Sequence, residues 1–146
     1  MLHFNTSKKL SLFLLFCSII FSANAAYIFI PMDESQSNHL KAYGIAYYAI
    51  ERDVKVDWLL NYQGGSFMIK QHSAIENECN IRGVSYQLMA DVQSTQILQS
   101  IASPEVNQDV VRLEQAPKIA IYSPSNKQPW DDAVTLALTY AEIPYE

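Results

Sequence analysis

The chain has 146 residues, with ten Lys and Arg against 15 Asp and Glu, and a formal net charge of −5. That length suits one modest domain beside a leader. The acidic balance excludes nucleic-acid binding, which needs clustered lysines and arginines, and Lys118 and Lys127 are too isolated to form such a patch.

The N-terminus has the pattern of a secretory signal peptide. MLHFNTSKK carries Lys8 and Lys9 and no acid, LSLFLLFCSIIF at 10–21 is continuously apolar, and SANAA follows. A positive start, a short apolar run and small residues at positions 23 and 25 predict cleavage after Ala25. The run falls short of the about 20 apolar residues that a membrane span needs, so no stable span is expected after cleavage. Cys17 follows Leu14-Leu15-Phe16 instead of small residues, which argues against lipid attachment. Loss of residues 1–25 removes two lysines and no acid, giving 121 residues and a net charge of −7. The product is expected to be exported, periplasmic or secreted. Cys79 is its one cysteine, so no internal disulfide can form.

The predicted elements follow in order. YIFIPM at 27–32 reads as a buried strand. In 37–53, Leu40, Tyr43, Tyr47 and Ile50 recur at three- and four-residue steps, which predicts a helix capped by Ser35 or Ser37. VKVDWLLNY at 54–62 and SFMI at 66–69 read as strands on either side of QGG. Residues 71–83 fit no single pattern, 84–89 is strand-like, and 91–102 is helical until Pro104. Residues 105–117 are open between helix and strand. KIAIYSP at 118–124 has the composition of a central strand. A helix then starts near Pro129 or Asp131 and runs to Ala141, with Asp131 and Asp132 at its positive end. IPYE follows as the start of a returning strand.

This order predicts an open α/β fold, a mostly parallel sheet with flanking helices of flavodoxin-like type, cut short at its C-terminus. Residues 26–146 are then the incomplete N-terminal part of a longer domain. In such sheets ligands bind beyond the carboxyl ends of the strands, which singles out three loops. The first holds Asp33, Glu34, Asn38 and His39, a set with acid–base potential that also suits helix capping. The second holds Asn61, Gly64 and Gly65. It lacks a phosphate-binding glycine pattern, and its glycines fit a hairpin turn more simply. The third holds Ser123, Lys127 and Trp130.

No metal site is expected, because His39, His72 and Cys79 lack ligand spacing, and no cofactor is implied. Cys79 has no glycine-flanked elbow and reads as a structural thiol. Tyr43, Tyr47 and Tyr48 on one helix suit packing with a wet hydroxyl, or a carbohydrate-stacking face.

YIFIPMDESQSNHLKAYGIAYYAI, VDWLLNYQGGSF, IRGVSYQ and KIAIYSPSNKQPWDDAVTLALTYAEIPYE together resemble a bacterial family of exported proteins commonly labelled asparagine synthetase B. That family looks like the class I glutamine-amidotransferase-like α/β proteins. The resemblance implies that fold, a small amide or peptide as ligand, and any catalytic cysteine and histidine lying beyond residue 146. Three functions follow from it: a binding or scaffold module, an amide hydrolase with a later nucleophile, and a glutamine-hydrolysing asparagine synthetase.

Overall fold

The apolar run at Tyr27–Ile30 forms strand β1 of the computed structural model, which describes residues 26–122 and 133–146. Helix α1, His39–Ile50, follows. Asn38 caps it, its side-chain oxygen accepting from Lys41 N at 3.2 Å. The expected serine caps are engaged elsewhere: Ser35 donates to Asp33, and Ser37 Oγ donates to Gly83 O at 2.7 Å. β2 (Val56–Leu60) and β3 (Phe67–Lys70) come next, then α2 (Ser73–Arg82), β4 (Gln87–Met89), α3 (Asp91–Ile101), β5 (Asp109–Leu113) and α4 (Ala133–Ala141). Residues 1–25, expected to be a signal peptide, lie outside the described residues.

The sheet has the order β4-β1-β3-β2-β5, and each neighbouring pair is antiparallel. The expected open, mostly parallel, flavodoxin-like sheet is therefore wrong. The reason lies in the turn at 61–66. Parallel neighbours need a crossover of a dozen or more residues. Six residues allow only a reversal, so β3 runs back along β2.

β3 then pairs with β1 on its other side, Ile30 opposite Phe67 and Ile28 opposite Ile69. β1 and β2 point the same way, joined through α1, but with β3 between them. The β3–α2–β4 crossover straddles β1 in the same manner. These interleaved crossovers give β1–β4 the split βαβ, or ferredoxin-like, connectivity. β5 is added outside β2, and the Arg112 guanidinium meets both Asp57 carboxylate oxygens across that pair, at 2.7 and 3.0 Å.

Residues 118–122, expected to be a central strand, belong to no strand of this sheet. Ile121 N donates to Glu146 O at 2.8 Å and Glu146 N to Ile119 O at 2.9 Å. One residue bonding both flanks of its partner is the parallel pattern, so parallel pairing occurs here, outside the five-stranded sheet.

Strand alternation splits the core in two. Ile28, Ile30, Val56, Phe67 and Ile69 face α1 and α2, against Ala42, Ile45, Ala49, Ile75 and Cys79. Phe29, Leu59 and Met68 face the other way, onto Ile101 of α3. Each large side chain buried this way contributes about 1.5–3 kcal/mol. α4 lies on α1, so close that a Cβ on Gly44 would stand 1.9 Å from Ala141 O.

The 61–66 turn reaches the β1 loop as well. Gly64 has φ +78, and a Cβ there would stand 2.2 Å from Met32 O. Gly83 has φ +66 with open space around it. Gly83→Ala is expected to cost about 1–2 kcal/mol, the left-handed strain alone. Gly64→Ala is expected to cost clearly more in urea unfolding; equal costs would mean that the turn does not abut β1.

Candidate functional site

Since β1 and β2 run the same way, the loops after them lie at one end of the sheet, joined where Met32 N donates to Gln63 O at 3.0 Å. The candidate residues there are mostly held in structural bonds. The Asp33 carboxylate accepts from Ser35 Oγ at 2.6 Å and Ser35 N at 3.0 Å. These bonds hold its carboxyl below the usual 3.8. His39 Nε2 lies 3.1 Å from the backbone oxygen of Asp33, not from its carboxylate. Glu34 is exposed. Asn38, besides capping α1, donates to the Tyr140 hydroxyl at 2.7 Å.

In the second loop, Asn61 Nδ2 donates to Asn107 O at 2.9 Å, tying down the approach to β5. Gly65 O accepts from Trp58 Nε1 at 3.0 Å, and Gly64 provides the close approach to Met32. Ser123, Lys127 and Trp130 lie outside the described residues. Gln36, not singled out in the sequence, is the buried joint of this end. Its amide donates to Pro31 O and Ser85 O, and its oxygen accepts from Ser85 N and Asn38 N.

A hollow lies elsewhere, under the flank of α1 where the sheet widens to β5. Its volume is about 470 Å³, within the range of roughly 300–1,000 Å³ usual for small-molecule sites. Tyr43, Ala46, Tyr47 and Ile50 of α1 form one wall, and Trp58 and Phe67 form the floor. Leu113, Gln115 and Pro117, leaving β5, form the far side, with Ile143 beyond α4.

The aromatic rings brace one another. Tyr43 meets Phe67 edge-on at 5.5 Å between centroids, and Trp58 stacks on Phe67 at 6.3 Å. The polar atoms of Trp58 and Tyr47 are occupied, the latter donating to Pro117 O at 3.1 Å. Among the described residues, no acid, lysine, arginine or histidine lines the cavity.

Sequence reasoning noticed only part of this wall. Tyr43 and Tyr47, four apart on a helix, were the legible signal. Tyr48, grouped with them, instead lies under the Arg52 guanidinium at 3.5 Å.

Among the described residues, no three His, Cys, Asp or Glu side chains gather to hold a metal. No helix there is long and apolar enough to cross a membrane. His72 caps α2, its Nδ1 accepting from Ala74 N at 3.3 Å. Cys79 is fully buried, and burial, with Glu76 and Glu78 adding to it, pushes its thiol up to about 12. No protein-family model, no curated protein and no solved structure matches the chain.

The Cys79 environment makes a chemical prediction. At pH 9, near the ordinary thiol value of 9.0, an unperturbed thiol is half ionised and Cys79 only about one part in a thousand. Iodoacetamide is expected to leave Cys79 unmodified in the folded protein and to label it fully in urea, as read on the peptide that carries Cys79. Rapid labelling without denaturant would show Cys79 to be accessible and activated.

Proposed function

We propose that the chain is an exported binding domain whose cavity beneath α1 takes a small, neutral molecule with an apolar body. The observation that carries this reading is the cavity of about 470 Å³ walled by Tyr43, Tyr47, Trp58 and Phe67, with no charged side chain among the described residues of its lining. A charged ligand entering it would lose hydration without gaining an ionic partner. An apolar or aromatic body gains contact with rings already fixed against one another. Gln115 and Tyr43, both lining residues, carry polar groups that suit a ligand with one polar end, such as an amide. Export rests on Lys8-Lys9, the apolar run and SANAA.

The test is a titration with N-phenyl-1-naphthylamine, a neutral dye that brightens in apolar sites. Saturable binding of one dye per chain is expected. Leu113→Trp, which fills the half-buried far wall, is expected to weaken binding by about tenfold or more while leaving the melting temperature within a few degrees. Dye binding unaffected by Leu113→Trp, or no binding by the unaltered protein, would refute the reading.

A further inference from the structure

α4 buries little of itself. Ala141 is its one fully buried residue, while Val134, Leu136 and Tyr140 remain at least half exposed. An element with so little apolar burial is held by whatever specific contacts it makes. Two are conspicuous: the approach of Ala141 to Gly44, and the residue after it.

Glu142 stands at the end of α4 in a left-handed conformation, φ 60. Its N–H donates to Thr139 O at 3.1 Å, and the N–H of Ile143 to Leu138 O at 2.9 Å. This pair of bonds is the Schellman ending, whose left-handed position glycine usually occupies. A residue with a Cβ is disfavoured there, so the side chain must earn the position.

The Glu142 carboxylate does so by joining three helices. One oxygen is bound to Lys41 Nζ of α1 and the other lies 3.2 Å from Arg82 Nε of α2. Arg82 is itself buried, its side chain 8% exposed. It has Glu78 as its other acid at 2.8 Å, and its Nη1 has no hydrogen-bond partner among the described residues. Loss of Glu142 would leave that guanidinium still less satisfied. Lys41 in turn lies 5.0 Å above the Tyr140 ring.

The next residue, Ile143, is part of the cavity wall. Beyond it Glu146 is tied to Ile119 and Ile121. From these contacts we infer that Glu142 is a latch: by anchoring the end of α4 to α1 and α2 it holds Ile143 in the wall and sets how readily a ligand enters and leaves. The inference rests on the binding reading above. It makes Glu142 a positioning residue, because its carboxylate touches the two cations and not the ligand.

The experiment compares Glu142→Gln and Glu142→Gly with the unaltered full chain. Glycine relaxes the left-handed turn, so a purely structural role at the helix end predicts a tighter α4 in that variant. The latch predicts a looser one in both. Amide hydrogen exchange at Ile143 and Glu146 is expected to quicken by about tenfold or more, with Ile28 and Ile69 unchanged. Dissociation of N-phenyl-1-naphthylamine, followed by stopped flow, is expected to quicken by about threefold or more. Unchanged or slower exchange in Glu142→Gly overturns the latch. Faster exchange with unaltered dye kinetics overturns its link to the cavity. If the unaltered protein binds no dye, the binding reading fails and the control of access fails with it, while exchange still decides whether Glu142 anchors the helix.

Discussion

The insertion of β3 between β1 and β2 is the constraint on which the rest of the molecule depends. It is imposed locally. Asn61, Gln63, Gly64 and Gly65 all take positive φ, and this tight turn sends Phe67 back beside Trp58. Phe67 is then central in three directions. It pairs with Ile30 along the sheet, stacks on Trp58, and meets Tyr43 of the covering helix. Were the chain to leave β2 by a long crossover instead, β1 and β2 could become neighbours, and Phe67 would have neither its strand partners nor its helix.

The cavity follows from the same arrangement. β5, added beyond β2, extends the sheet past the flank of α1. The segment leaving it, with Leu113 and Pro117, covers the gap only in part. Among the described residues, charge lies outside the lining of this region. Asp57 with Arg112 and Lys55 with Glu114 tie β5 and the residues around it to the β2 side. Each pair has a partner more than half exposed, so its worth is of the order of 1 kcal/mol or less. The described lining of the hollow is thus neutral and aromatic although the protein is acidic.

The sequence carried the elements further than their arrangement. The apolar face of α3 and the runs of β1 to β3 were legible because burial on one side imposes its own period; the face read on α1 was misplaced, since Leu40 and Tyr43 are exposed and Ala42, Ile45, Ala46 and Ala49 are buried with Ile50. The strand–helix–strand order of β1, α1 and β2 was legible too, but it is the same for adjacent parallel strands and for a split pair. Gly64-Gly65, read as a hairpin turn, already contradicted the parallel sheet; that local signal was correct and the global pattern misled. Residues 71–83 were ambiguous because the helix they hold, Ser73–Arg82, buries only Ile75 and Cys79, while Ile81 is 77% exposed. Residues 118–122 look like a central strand because β-branched composition reports fitness for a pleated surface, not the presence of neighbours. The candidates of the first two loops lie at one end, as the common direction of β1 and β2 requires, but as caps and turn bonds. The cavity joins Tyr43, Phe67, Leu113 and Ile143, far apart in the chain, and only tertiary pairing could reveal it.

Strand adjacency is the claim to measure directly. In a labelled sample of the full chain, nuclear Overhauser contacts between backbone protons report which strands touch. Neighbouring strands lie about 4.8 Å apart, and strands separated by a third roughly twice that. The insertion of β3 predicts backbone contacts from Ile28 to the Ile69 region and from Val56 to the same region, and none between Ile28 and Val56. A ladder of direct contacts between β1 and β2 would contradict it, and with it the placement of Phe67 and the cavity built upon it.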